Sequence, residues 1–129
     1  VAKSQKKLLK RLTLYLDNQD IGMSKDQYLR MCEQMNQEPD FEKCPDDWED
    51  FPNVVVNAVN IFHSMGDKIM PDIGYLGKDY TNFEFFLKLY NIENHQKDFV
   101  TEIILSMESR AVENAQRKLK AEYDKIKRK

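Results

Sequence analysis

The sequence predicts an all-α fold, a single domain of about five helices. Three observations favour it: glycine and proline are scarce, at four each among 129 residues; charged residues make up 33% of the chain; and apolar residues recur at helical spacing. Few turn formers leave few tight turns, and abundant charge suits solvated helix faces better than a sheet. We therefore expect helices with short connections, an ordered acidic loop and a long basic C-terminal helix.

The first two helices are predicted from apolar spacing and from their ends. Over 4–18, leucines recur at helical spacing with lysines on the other side. The second helix begins at Ser24, because Ser24 and Gln27 have the spacing of a capping box. It ends before Pro39, since the residue before a proline avoids the helical region. Its buried side is predicted to contain Tyr28, Leu29, Met31, Cys32 and Met35.

An acidic loop is predicted over 38–50, and it contains Trp48, the single tryptophan of the chain. Asp50 is placed to cap a third helix, with Pro52 in its first turn. The β-branched run Val54–Val56 would also suit a strand. No second run offers it a pairing partner, so we interpret the segment as the central helix of the core.

The second half of the chain is predicted to hold a loop and two further helices. Segment 67–80 is interpreted as an ordered loop because it contains a proline and two glycines. Thr81 and Glu84 have capping-box spacing, which predicts a fourth helix after them. The last helix is predicted from Asn94 to about Lys127. Its buried side is predicted to contain Phe99, Val100, Ile103, Ile104 and Met107.

Charge is segregated along the chain, although the net charge is only −2. Such segregation indicates partners and assembly rather than a fold. The two basic ends supply candidate phosphate contacts, because cations neutralise phosphates without reading sequence. These are Lys3, Lys6, Lys7, Lys10, Arg11, Lys120, Lys125, Lys127 and Arg128. The acidic middle supplies candidate partner-binding residues, with aromatic side chains as anchors. These are Asp46, Asp47, Trp48, Glu49, Asp50 and Phe51.

No residue pattern indicates catalysis, a metal or a cofactor. His63, His95, Cys32 and Cys44 lack the paired spacing of structural zinc ligands. The acidic loop lacks the glycine that an EF-hand requires. The run 74–78 (GYLGK) is too short for a P-loop, and we interpret its glycines as turn formers. We therefore expect a protein that is not an enzyme and binds no cofactor.

The cellular setting is inferred from hydropathy and cysteine content. No apolar run approaches the roughly 20 residues of a membrane span. The sequence therefore predicts no membrane association. The two cysteines are expected to be free thiols in a reducing cytoplasm.

Several short elements from Met23 onward carry a resemblance. They are Met23-Ser24-Lys25-Asp26-Gln27-Tyr28-Leu29, Met31-Cys32-Glu33, Glu38-Pro39, Asp50-Phe51-Pro52, Ile73-Gly74-Tyr75, Gly77-Lys78-Asp79-Tyr80 and Tyr123-Asp124-Lys125-Ile126-Lys127-Arg128-Lys129. With these elements the stretch 23–129 resembles a family of small, mostly uncharacterised tailed-bacteriophage proteins. Residues 1–22 lie outside the resemblance. We interpret 1–22 as a variable basic helical extension and 23–129 as the helical domain.

The resemblance implies a role in virion morphogenesis, with a tail assembly chaperone as the first choice. Such chaperones are small, mainly helical and non-enzymatic, and they bind the long helical tape-measure protein. The implied partner is that protein or another tail protein, and homo-oligomers are compatible with the role. The implied location is the cytoplasm of the infected bacterial host, or the virion. A nucleic-acid-associated packaging or replication factor ranks second, and a structural virion connector component ranks third.

Overall fold

The computed structural model describes residues 3–128, and this part of the chain is mostly α-helical. Two 3₁₀ turns, Trp48–Asp50 and Asn94–Gln96, accompany the regular elements. The regular elements are α1 (Lys3–Asp20), α2 (Lys25–Gln34), α3 (Asn53–Ser64), β1 (Asp67–Met70), β2 (Gly74–Lys78), α4 (Phe83–Leu89) and α5 (Lys97–Lys127). The chain divides into two compact units, Val1–Asn53 and Val54–Lys129. The helical prediction is confirmed in its main part, but the fold is not purely all-α.

The first unit contains α1 and α2. The capping box predicted for α2 is confirmed: the Gln27 N–H donates to Ser24 Oγ at 3.2 Å, and the Ser24 N–H donates to Gln27 Oε1 at 3.0 Å. The predicted buried side of α2 is too broad, because Cys32 is buried whereas Met31 and Met35 are exposed. The interpretation of 1–22 as a variable extension remains a prediction.

The acidic segment after α2 is an ordered loop, as predicted, but the role predicted for Asp50 is wrong. The carboxylate of Asp50 accepts a hydrogen bond from the Asp47 N–H at 3.0 Å. It therefore caps the 3₁₀ turn at 48–50, while α3 begins only at Asn53. A carboxylate caps whichever free backbone N–H groups are nearest to it. For Asp50 these are at the start of the 3₁₀ turn, which precedes α3 in the chain.

Most of the buried apolar residues of the second unit lie on α3 and on the first half of α5. Val55, Ala58 and Ile61 on α3 are fully buried, which confirms that this segment is a central helix rather than a strand. The predicted buried side of α5 is confirmed at all five positions: Phe99, Val100, Ile103, Ile104 and Met107. The buried residues of α5 all lie in this first half, and its second half has no comparable buried face.

The ordered loop predicted over 67–80 is in fact an antiparallel β-hairpin. Asp67 pairs with Lys78 and Met70 with Gly74, and a bulge interrupts the register between Lys68 and Ile69. Both strands are short, and β1 is exposed along its whole length. An exposed four-residue strand lacks the alternating burial that marks a strand in a sequence, which explains why the pattern did not predict it.

Two predicted helix starts are also wrong. α4 begins at Phe83, because Thr81 donates its N–H and its hydroxyl to Asp79 instead of forming a capping box. α5 begins at Lys97, because Asn94 opens a 3₁₀ turn ahead of it. The predicted end of the last helix at Lys127 is confirmed.

Candidate interaction surfaces

Arg11 holds the acidic segment against α1. Its guanidinium pairs in a bidentate manner with Asp46, at 2.7 Å from Nε and 3.0 Å from Nη2. It also donates to the carbonyl oxygens of Phe41 at 2.9 Å, Glu42 at 3.3 Å and Cys44 at 2.6 Å. All five guanidinium N–H groups thus have an acceptor. The hydrogen bonds to Asp46 raise the pKa of Arg11 against the opposing effect of desolvation.

This network includes two residues that the sequence analysis assigned to binding sites. Arg11 was a candidate phosphate contact and Asp46 a candidate partner contact. Each instead satisfies the other, with about a quarter of each side chain exposed. Both therefore support the loop, and the sequence could not reveal this because the two residues are 35 positions apart.

Three aromatic rings cluster beneath the acidic loop. The Trp48 ring centroid lies 5.5 Å from that of Tyr15 and 5.8 Å from that of Phe51, while Tyr15 and Phe51 are 5.7 Å apart. These are favourable edge and tilted geometries. Phe51 is only 6% exposed, so it serves as a support rather than as an anchor on the surface. Trp48 is half-buried and keeps part of its surface accessible.

A cleft of about 380 Å³ opens beside Trp48, and we call it the acidic cleft. Tyr15, Pro45 and Trp48 line it, and the exposed residues Asp47 and Glu49 lie at its rim. Within residues 3–128, neither of these two carboxylates forms an ion pair with another side chain. The acidic cleft therefore combines an aromatic surface with two carboxylates that form no ion pair, and Lys25 also lines it.

Lys25 and Asp50 partly neutralise each other near this cleft. Their Nζ and Oδ2 atoms are 3.4 Å apart. The pKa of Asp50 lies below its ordinary value, first because the Asp47 N–H donates to the carboxylate and then because Lys25 is close. Asp50 is therefore paired with Lys25, whereas Asp47 and Glu49 form no ion pair among the described residues. Of the six predicted partner-binding residues, the structure thus brings Asp47, Trp48 and Glu49 together in the form a partner could use.

The other predicted phosphate contacts lie on two helices. Those on α1 (Lys3, Lys6, Lys7 and Lys10) and those on α5 (Lys120, Lys125, Lys127 and Arg128) are exposed. The two sets belong to different compact units. Their role in binding phosphates remains a prediction.

Glu108 on α5 fixes the hairpin strand β2 from 30 residues away. Its Oε2 atom accepts hydrogen bonds from the Lys78 N–H at 2.8 Å and from the Tyr80 hydroxyl at 2.9 Å. Burial, and then the hydrogen bond to Glu108, raise the pKa of Tyr80. Gly77 has φ +132, and a Cβ there would lie 3.0 Å from the same oxygen. The close approach requires glycine.

Lys78 is a buried cation with a complete set of partners. It is 7% exposed, and its Nζ lies 2.7 Å from Asp67 Oδ1 and 3.3 Å from the Met65 carbonyl oxygen. It also lies 4.5 Å from the centroid of the Phe62 ring, a cation–π distance. The GYLGK run thus builds a hairpin anchored on α5. Its lysine is directed into the unit, and its glycines allow the turn and the close approach.

The anchored hairpin exposes apolar side chains that the sequence analysis did not select. Ile69, Met70, Ile73 and Leu76 are each between 46% and 68% exposed. The available signal was the Pro-Asp pair 71–72 between two apolar runs, which is typical of a turn. Leu76 lies at the surface between the half-buried Tyr75 and the buried Gly77, because successive side chains of β2 point to opposite faces.

Neither metal sites nor membrane spans are found in the part of the chain that the structure describes. Among residues 3–128, no group of three His, Cys, Asp or Glu side chains is placed to hold a metal ion. None of the helices in this range has both the length and the hydrophobicity to span a bilayer. Cys32 and Cys44 are buried and carry free thiols.

Comparison with known proteins returned no relative: no protein-family model, no curated protein and no solved structure matches the chain.

Proposed function

We propose that this protein is a non-enzymatic interaction protein of bacteriophage assembly. Its role would be that of a tail assembly chaperone, which binds a helical tail protein such as the tape-measure protein in the cytoplasm of the infected host. The assignment to phage assembly depends on the resemblance carried by 23–129. The observation that carries the binding role is the acidic cleft, with Trp48 between Asp47 and Glu49.

The acidic cleft suits a cationic side chain from a helical partner. Tryptophan provides the best aromatic face for a cation, and such contacts gain strength when water is excluded. The two rim carboxylates can pair with the same lysine or arginine or with a neighbouring one. Aromatic residues in partly enclosed sites commonly anchor interfaces. A basic stretch on one face of a tail-protein helix would supply this cation.

The Arg11 network makes such a site effective because it fixes the loop before binding. A loop that is already ordered loses less conformational entropy when its partner arrives. The aromatic support from Tyr15 and Phe51 has the same effect on Trp48. The pre-ordered loop therefore supports a binding role for this surface.

The first test is capture of tail proteins from infected cells by tagged protein, with and without nuclease treatment. Wild type is expected to capture the tape-measure or another tail protein, and to be absent from finished particles. The double variant Asp47→Lys/Glu49→Lys is expected to reduce capture roughly tenfold, because two attractive contacts become repulsive. Both residues are exposed, so the fold is expected to survive. Trp48→Ala is expected to act in the same direction.

Two controls separate the cleft from the rest of the surface. Glu33→Lys/Glu38→Lys reverses the same number of exposed charges outside the cleft and is expected to leave capture unchanged. Phe41→Ala removes an exposed aromatic ring from the same unit. It is the control for Trp48→Ala and is expected to leave capture unchanged. Equal capture by wild type and by the cleft charge reversal would exclude the cleft as the site. Recovery of terminase, replication proteins or nuclease-sensitive DNA would favour a nucleic-acid role, and recovery in finished particles would favour a virion component.

A further inference from the structure

The second half of α5 is a helix face without a partner in its own unit. Every residue from 120 to 128 is exposed, including Tyr123 at 53% and Ile126 at 69%. With Leu119 these residues are spaced by four and three positions, so they form a single apolar stripe along the helix. A stripe with this spacing matches the apolar face of a second helix rather than that of a strand.

Lysines border this stripe on both sides. With 3.6 residues per turn, Lys120 and Lys127 follow it along one side. Lys118 and Lys125 follow it along the other side, where Glu122 lies between them and the stripe. A shallow groove of about 500 Å³ is lined by Leu119, Lys120, Tyr123 and Lys127, together with Gln116 and Asp124. Within residues 3–128, none of the four lysines forms an ion pair. We call Leu119, Tyr123 and Ile126 with these four lysines the basic stripe.

The charge of the basic stripe decides which kind of partner fits it. Over 116–128 the chain carries six Arg and Lys residues against two Asp and Glu residues. A second copy of the same helix would bring Lys120 and Lys127 close to further lysines, which opposes association. A helix with Glu or Asp on both sides of its apolar stripe would pair with the four lysines, which outnumber Glu122 along the two borders. The charge pattern therefore favours an acidic helix over self-association.

We propose that the second half of α5 is a docking face for an acidic amphipathic helix of a partner protein. The apolar positions of that helix pack on Leu119, Tyr123 and Ile126, and its acidic flanks pair with the four lysines. The inference goes beyond the acidic cleft, because it assigns a second surface of opposite charge. Its partner helix differs in chemistry from the basic segment expected in that cleft.

The test uses the full chain and a synthetic probe. The probe is a fluorescent peptide of about four heptads with leucine at the core positions and glutamate at the flanks. Its binding is measured by fluorescence anisotropy at low salt. Wild type is expected to bind, with affinity that falls as salt is added. Lys120→Glu/Lys127→Glu is expected to weaken binding roughly tenfold, since two attractive pairs become repulsive.

The matched control is Arg117→Glu/Arg128→Glu, which changes the net charge equally but lies on the opposite side of α5 from the stripe. It is expected to bind the peptide much as wild type does, and circular dichroism verifies the helix in both variants. Equal losses in the two variants would overturn the proposal in favour of overall charge. A second peptide carries lysine in place of glutamate. If it binds as tightly as the acidic peptide, the stripe is an unspecific apolar patch and the proposal is overturned.

Two further outcomes also decide the question. Failure of wild type to bind the acidic peptide overturns the proposal. The proposal is also overturned if analytical ultracentrifugation shows concentration-dependent dimerisation and Ile126→Asp abolishes it. A second copy of the chain would then be the occupant of the stripe. The Trp48→Ala variant is expected to retain peptide binding. Loss of peptide binding and loss of tail-protein capture are thus separate results, and either proposal can fail alone.

Discussion

At the scale of single residues, Arg11 is expected to contribute more to stability than any other charged side chain on α1. Arg11→Ala removes the pair with Asp46 and leaves three loop carbonyls without their donor. We expect a loss of about 2 kcal/mol in the free energy of unfolding, below the range for fully buried pairs because a quarter of each side chain is exposed. Denaturant titration followed by Trp48 fluorescence measures it.

Two further substitutions make the Arg11 result specific. Arg11→Lys is expected to remain destabilising, since an ammonium group cannot reproduce a planar fork with five donors. Lys10→Ala changes the neighbouring exposed cation and is expected to be nearly neutral. If Arg11→Ala and Lys10→Ala give the same small effect, the network does not stabilise the loop.

A sequence shows which residues are charged, but it does not show which charged residues form ion pairs in the fold. The sequence placed an acidic loop over 38–50, and the structure has a loop with a single 3₁₀ turn there. It could not show that Asp46 is neutralised by Arg11, or that Phe51 is buried while Trp48 keeps an accessible face. These distinctions arise from contacts across about 35 residues, and no local pattern encodes them.

At the scale of elements, the hairpin depends on glycine at position 77. Gly77→Ala places a Cβ 3.0 Å from Glu108 Oε2 at a φ of +132, where side chains are strained. We expect it to destabilise the protein by about 2 kcal/mol in thermal or chemical unfolding. Gly66→Ala is the matched control, because its nearest neighbour is Asp79 Cβ at 4.0 Å. Equal tolerance of both alanines would mean that β2 and α5 adjust freely.

Elements were predictable where local chemistry determines them. The capping box at Ser24 and the amphipathic first half of α5 are local signals, and both were confirmed. The hairpin was missed because β2 is held by Glu108, which is 30 residues away. Two helix starts were misplaced because the predicted capping residue has another role. Thr81 donates to Asp79, and Asn94 begins a 3₁₀ turn.

At the scale of the whole molecule, a net charge of −2 conceals two surfaces of opposite sign. The acidic cleft belongs to the first compact unit and the basic stripe to the second. Each surface joins exposed apolar or aromatic area to uncompensated charge. Local potentials of this kind steer partners, whereas the total charge does not. The two proposals together assign one chemically distinct helical partner to each of these surfaces.

The pH dependence of global stability supplies the last prediction. Burial, and then the hydrogen bond to Glu108, raise the pKa of Tyr80 well above its ordinary value of about 10. The folded state therefore keeps this proton at a pH where the unfolded chain has released it. The resulting stabilisation is complete below about pH 10 and is lost as pH rises further toward the folded pKa. Tyr80→Phe is expected to cost about 1 kcal/mol at pH 7 and to flatten the decline above about pH 10. Urea titrations across this range measure both effects.

Tyr123→Phe removes a hydroxyl from an exposed position and is the control. A Tyr80→Phe profile parallel to that of wild type would show that this hydroxyl does not contribute to the alkaline loss of stability.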